Sequence, residues 1–354
     1  MKIIDRYIAT QLVLMTGIAL LALLVIFSFL SLIDQLEDAG RGNYDAVSVI
    51  KYVFLIMPRI AYESISVAAV IGSVSVLGIM AYNSELLVIR TSGGVSTPRL
   101  SYSLLKGALI IVLFMVLLGE FIAPYCEQEA QHLRSVAISE QISLKSRNGF
   151  WSRDGSSYIN IRKLLPGDRL EDIYIYEFDK RKLRIATYAK RASFRDGKWI
   201  LEDINQSILD DDRITGKTYE LAAWDSLLKP RMINLVTVRP QYLTVLGLFN
   251  YIKYLNENDQ NSMEYELAFW SKIINPVTVI IMVLIAVPLV RNFSRTVSVS
   301  QHIFIGSTIG IVFYILNQLS GQIGIVYSIN PFLCAMLPTL LAGSVVLYLI
   351  YKKN

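Results

Sequence analysis

The residues able to do acid–base, nucleophilic or metal chemistry are few and far apart. The chain has two histidines, His132 and His302, and two cysteines, Cys126 and Cys334. Neither cysteine has a CxxC or Cys/His neighbourhood, which argues against a disulfide framework or a zinc module. There is no HExxH, GxSxG or GxGxxG motif. The segment DDRITGKT (Asp211–Thr218) comes nearest to a phosphate loop, but Asp211 stands where the pattern needs its first glycine. Gly216-Lys217 reads better as a hairpin turn, and Asp210-Asp211-Asp212 as a solvated loop. Nowhere do a nucleophile, a base and an orienting group assemble, so no catalytic residue, cofactor or metal is expected.

What stands out instead is a set of charges in or beside apolar runs: Arg59, Glu63, Lys106, Glu120, Arg134 and His302. Such charges are costly and face a bundle interior or a water-filled cavity. Arg59 and Glu63, four residues apart, share a helix face. Two readings stay open. One is an Arg59–Glu63 ion pair with interfacial anchors around it. The other is a polar rim for an amphiphile with an anionic head.

The elements that carry these residues are those of a membrane protein. Of the 354 residues, 53% are hydrophobic and 18% charged, with a mean hydropathy of +0.45; soluble domains average about 25% charged. A span needs about 20 apolar residues. Leu12–Ile33, Ser64–Asn83 and Leu100–Ile122 qualify, as does Ile273–Val290. The uncharged run Ile303–Tyr351 is long enough for two spans, split by the turn residues of Ser320–Pro331. The expected count is six. The basic start is followed by no small-residue cleavage site, so the first apolar run reads as a retained helix.

Short-loop basic residues set the orientation. Lys2, Arg6, Arg90, Arg99, Arg291, Arg295, Lys352 and Lys353 fall on one side, whereas the opposite loop, DQLEDAGRGNYDA (Asp34–Ala46), is mainly acidic. Both termini are therefore expected in the cytoplasm. Between the third and fourth spans lies a polar insertion, residues 125–267, on the outer side. Its period-two runs DIYIYEF (Asp172–Phe178), RIATYAKRASF (Arg184–Phe194) and KWILEDI (Lys198–Ile204) read as short strands of an all-β sandwich or roll. Helical stretches flank it at Tyr125–Gln141 and Leu246–Asn258. The fold class expected is thus an α+β membrane protein. Residues 1–124 carry spans one to three, residues 125–267 a β domain, and residues 268–354 spans four to six.

One stretch is too long for a turn. AYNSELLVIRTSGGVS (Ala81–Ser96) sits on the cytoplasmic side and predicts a short helix near 83–94, with Glu85 in its first turn. A free helix that short is marginal in water, where about 12–15 residues are needed. Leu86, Leu87 and Ile89 give it an apolar surplus, and Arg90 alone is too little basic charge for a membrane-surface helix. Docking into a partner protein is the favoured reading.

Several segments together resemble a known family: IDRYI (Ile4–Ile8), DQLEDAGRGNYDA, NSELLVIRTSG (Asn83–Gly93), GEFIAPYCEQEA (Gly119–Ala130), GFWSRDG (Gly149–Gly155), WSKIINP (Trp270–Pro276) and GIVFYILNQ (Gly310–Gln318). In this order they resemble the lipopolysaccharide-export permeases, the YjgP/YjgQ or LptF/LptG family, over the whole chain. The resemblance implies the permease subunit of an ABC-type exporter in a Gram-negative inner membrane, with a periplasmic β-jellyroll. It also implies partners: a homologous LptF-like subunit, a cytoplasmic LptB-like ATPase dimer that hydrolyses the ATP, a single-span LptC-like regulator and an LptA-like bridge. No nucleic acid is expected. Lipopolysaccharide would enter laterally from the outer leaflet and be passed to the bridge for outer-membrane biogenesis. The short helix would be the coupling helix, carried by Ser84, Glu85, Leu86, Leu87, Ile89 and Arg90. The first and fifth spans are similar to those forming lateral gates. Where relatives often have lysines after the first span, this chain has Ser31, Glu37 and Asp38, and Gln131 replaces an arginine. The resemblance therefore leaves Arg59 and Arg134, with His302 behind them, to meet lipid phosphates. A different class, an envelope scaffold whose β domain binds partners without transport, would make Glu85 substitutions silent.

Overall fold

The computed structural model describes residues 3–91, 97–138, 142–143, 150–155, 157–165, 169–179, 182–195, 198–210, 213–224, 240–290 and 299–351. Six helices in it are long and apolar enough to cross a membrane: Ile3–Leu36, Ala46–Tyr82, Arg99–Ile138, Met263–Leu289, Ser300–Val326 and Pro331–Leu349. The expected number is met, but the helices overrun the apolar windows. The second starts at Ala46 and has Pro58 inside it. A proline removes one hydrogen bond without ending a helix whose apolar face continues on both sides. Arg59 and Glu63 consequently sit within that helix. Its start is capped by Asp45, whose carboxylate accepts from the Ser48 backbone N–H at 2.8 Å. That bond holds the Asp45 carboxyl below its usual pKa.

The second span is the hub. In its apolar window 72% of residues are buried, against 22% for the first span and 17% for the fifth, so these two turn broad apolar faces outward. Small residues allow the hub close neighbours. A Cβ on Gly72 would lie 2.5 Å from Thr16 Oγ1, so the first span crosses here in direct backbone contact. Gly306 and Gly310, a GxxxG pair on the fifth span, face Ile71 and Val67 in the same way.

The third span is interrupted. Its α-helix ends at Leu117, a π turn covers Leu118–Ile122, and an α-helix resumes over Ala123–Ile138. Pro124 has no N–H to give the Glu120 carbonyl. The Ala123 N–H bonds Leu118 O, five residues back, which leaves the Gly119 carbonyl without its α-helical donor.

Between the third and fourth spans the β domain is present. Its described strands, β1 (Ile142–Ser143), β2 (Phe150–Asp154), β3 (Ser157–Leu165), β4 (Arg169–Asp179), β5 (Lys182–Arg195), β6 (Lys198–Leu209) and β7 (Ile214–Trp224), form one antiparallel sheet in the order β1-β3-β4-β5-β6-β7, with β2 also on β3. The three alternating runs fall in β4, β5 and β6. Ile159, Ile161, Leu170, Ile173, Ala189, Trp199 and Ile204 point to one face, which packs on Tyr251, Tyr254 and Leu255 of the helix Val245–Glu257. Burial raises the pKa of the Tyr251 phenol.

One expectation is corrected. Gly216-Lys217 is not a turn: both residues lie in β7, paired with Ser207 and Gln206. The turn comes earlier, where Asp210 and Arg213 exchange backbone hydrogen bonds of 2.9 and 3.3 Å. Asp211 and Asp212 lie outside the described residues.

Candidate functional site

The membrane-depth charges resolve into three groups, each joining elements distant in sequence. Near the N-terminal end of the first span, Lys106 Nζ donates to the buried Asp5 at 2.8 Å, and Ser103 Oγ donates to its other oxygen at 2.8 Å. This pair ties the third span to the first. Around the π turn, Lys272 Nζ donates to the Gly119 carbonyl at 3.0 Å and to Glu120 Oε1 at 3.2 Å. Glu120 Oε2 accepts from the Val245 backbone N–H at 3.0 Å, at the start of the helix that returns from the β domain. The carbonyl freed by the π geometry is thus the one the lysine takes. Lys106 and Glu120 line no head-group rim. Both are internal struts.

The third group brings Arg59 and Arg134 together. Both line a cavity of about 330 Å³ with Ser31, Asp34, Gln35, Tyr52, Ile56, Glu127, Gln131 and Tyr242. The first span, the second, the extension of the third and the turn Pro240–Tyr242 supply its walls. Arg59 Nη1 donates to the Tyr242 hydroxyl at 2.6 Å, and the guanidinium lies 4.8 Å from that ring's centre. Burial raises the Tyr242 pKa. The expected Arg59–Glu63 pair exists at 3.9 Å, but the closer partner is Glu127 at 3.1 Å. Glu127 is buried and accepts from Gln131 Nε2 at 2.8 Å. Arg134 pairs with Asp38, which also pairs with Arg41 at 2.6 Å.

His302 does not join this group. It is buried against Gly78, where an added Cβ would lie 2.5 Å from the imidazole. Gly78 is 19 residues along the second span from Arg59, about 28 Å at 1.5 Å per residue. One head group cannot touch both ends.

A second cavity, of about 340 Å³, opens among the second, fourth, fifth and sixth spans; Glu63, Asn275, Asn317, Gln318 and Gln322 make it polar. Tyr242 borders both cavities.

The short helix near the N-terminal end covers Glu85–Thr91, and residues 92–96 of the expected stretch lie outside the described residues. Ser84 turns the chain with a φ of 62°, and Asn83 Nδ2 donates to Glu85 Oε1 at 3.1 Å. Glu85 Oε2 accepts from the Tyr7 hydroxyl at 3.1 Å, so the helix is moored to the first span. Leu86 and Ile89 pack inward on the bundle core, while Leu87 and Val88 are half exposed. Arg90 follows on the same helix. The apolar surplus is therefore divided, part holding the helix to the bundle and part facing away.

Sequence reasoning missed Asp5, Asp38, Glu127, Tyr242 and Lys272. For all of them but Tyr242 the signal lay in the resembling segments, whose residues interlock in space. Asp5 and Tyr7 of IDRYI reach Lys106 and Glu85. Gly119, Glu120 and Glu127 of GEFIAPYCEQEA reach Lys272 of WSKIINP and Arg59. Asp38 of the acidic loop reaches Arg134.

The family model described as "Lipopolysaccharide export system permease LptF/LptG" matches residues 6–352. The chain is 31% identical over 354 residues to the lipopolysaccharide export system permease protein LptG of Haemophilus influenzae, and 32% identical over 356 residues to that of Escherichia coli K12, covering 99% of each chain in both cases. Both relatives are named as permease proteins of a lipopolysaccharide export system. The match runs through every interlocking segment named above, and the chain belongs to the lipopolysaccharide export system permease family LptF/LptG, as a multi-pass inner-membrane protein.

Proposed function

We propose that this chain is a permease subunit that takes lipopolysaccharide from the outer leaflet of the inner membrane and passes it toward a periplasmic bridge, using ATP hydrolysed by a separate cytoplasmic subunit. One observation carries the reading: in a chain of this family, Arg59 and Arg134 converge on one polar cavity next to the root of the β domain. Hydrocarbon does not tolerate such a lining, whereas an anionic head group with its acyl chains below would use it. The outward apolar faces of the first and fifth spans suit lateral contact with a homologous, LptF-like subunit. The half-exposed Leu87 and Val88 beside Glu85 suit docking on an LptB-like ATPase dimer. Basic short loops put both termini and this helix in the cytoplasm and the β domain in the periplasm, where LptC-like and LptA-like domains would receive the lipid. His302 then lies near the cytoplasmic end and contacts no head group.

The double substitution Arg59→Ala with Arg134→Ala is expected to lower photo-crosslinking to lipopolysaccharide about tenfold. Each charge-assisted contact is worth about 1.5–3 kcal/mol gross, discounted where water reaches it. Arg134 is the more exposed of the two, with 35% of its side chain accessible against 19% for Arg59. Because Arg59→Ala strands the buried Glu127, a triple variant adding Glu127→Gln controls for folding. Crosslinking equal to the parent in folded protein would reduce these arginines to anchors.

A further inference from the structure

The two arginines of the cavity are neutralised in different ways. Glu127, the partner of Arg59, has 2% of its side chain accessible and is tied to Gln131, so that charge is locked in place. Asp38, the partner of Arg134, sits on a short turn, and its carboxylate is shared. Oδ1 takes Arg41 and Oδ2 takes Arg134, while 68% of the Arg41 side chain is open to water. Two guanidiniums from different segments clasping one small anion is the geometry by which arginines hold a phosphate.

Two further details bear on what that position can accept. The Nε of Arg134 is buried and has no hydrogen-bond partner among the described residues, so a donor remains after both carboxylate oxygens are used. A phosphate has three oxygens and a charge of about −1.5 to −2, enough to satisfy it. The turn itself is pinned: the Asn43 N–H donates to the Ala137 carbonyl at 2.7 Å, and a Cβ on Gly42 would meet that oxygen at 2.6 Å. Rotation of the Asp38 side chain alone can therefore vacate the place without moving Arg41 or Arg134. With Asp38 swung into water, Arg41 and Arg134 lose the carboxylate they share, and the position between them is left locally positive.

We infer that Asp38 is a specificity-determining placeholder, its carboxylate holding the position between Arg41 and Arg134 that a head-group phosphate takes by displacing it. This rests on the transport reading above, and it adds a cost that selects for phosphorylated lipid: an uncharged head group cannot compete with the carboxylate.

The test uses the full-length chain, purified in detergent with its copurifying partners, and native mass spectrometry of bound lipid A. Asp38→Asn is expected to tighten binding of bis-phosphorylated lipid A about fivefold, a change of about 1 kcal/mol. Binding of dephosphorylated lipid A should not change. Adding Arg134→Ala should remove the gain, and Asp38→Glu should bind as the parent does. Millimolar inorganic phosphate should not displace the lipid from either protein. Parent protein that retains no lipid A would overturn the transport reading itself. Parent that binds, with Asp38→Asn binding equally or more weakly, overturns only the placeholder. A gain of equal size for the dephosphorylated lipid overturns it too, and displacement by inorganic phosphate marks a free-phosphate site instead.

Discussion

Glu85→Lys is expected to abolish ATP-driven release of lipopolysaccharide from proteoliposomes while the protein still inserts in the membrane. The carboxylate lies at the head of a seven-residue helix beside the half-exposed Leu87 and Val88, where a docking partner would meet it. Losing one member of a charge pair that becomes buried on docking costs about 2–5 kcal/mol, so transport should fall about thirtyfold or more. Glu85 also has an internal task, because Tyr7 and Asn83 both donate to it. Tyr7→Phe separates the two roles. It removes only the mooring bond, worth about 0.5–1.5 kcal/mol, and should keep most of the transport. Unchanged release by the Glu85→Lys protein would remove the coupling role and favour a scaffold. Equal losses in both variants would assign Glu85 to holding the helix rather than to the ATPase.

The second large effect is structural. Lys272→Met is expected to destabilise the bundle by up to about 3–5 kcal/mol, because it leaves the partly buried Glu120 charged and the Gly119 carbonyl without its lysine donor. Lys272 is 9% exposed and pairs with Glu120 at 3.2 Å. Glu120→Gln alone should cost less, since the amide oxygen can still accept from Lys272, although the amide nitrogen cannot accept from the Val245 N–H. The pair Lys272→Met with Glu120→Leu should recover part of the loss, as apolar replacement of a whole buried pair often does. Thermal unfolding in detergent reads all three. A Lys272→Met protein as stable as the parent would show that the π turn stands without the lysine. The same variants bear on function, because Glu120 also caps the return from the β domain at Val245. Loosening that joint should slow lipid transfer even in protein that stays folded.

These predictions show where sequence reasoning reaches and where it stops. The six spans, the split near Ser320–Pro331, the strands β4 to β6 and the short helix after the second span were all legible. Each depends on properties that neighbouring residues share, namely apolar run length, a period of two, or glycine and proline punctuation. Family membership was legible too, because seven segments in order carry more information than any one motif. Span ends were less so. The windows stopped at charged residues such as Lys272 and Glu63, although the helices run through them, because a partner on another span removes the cost that sets the window.

The sequence by itself therefore determined that this is a six-span membrane protein of the LptF/LptG family, with a β domain between spans three and four. Only the tertiary structure decided which charge meets which. It paired Lys106 with Asp5, Lys272 with Glu120, Arg59 with Glu127 and Arg134 with Asp38, and it put His302 at the far end of the second span. The physical reason is that hydropathy and turn propensity act over a few residues and can be read locally. A buried ion pair is selected by the crossing of helices about a hundred residues apart in the chain. That crossing is set by close contacts such as Gly72 against Thr16 and by the π turn at Gly119, which no local pattern announces.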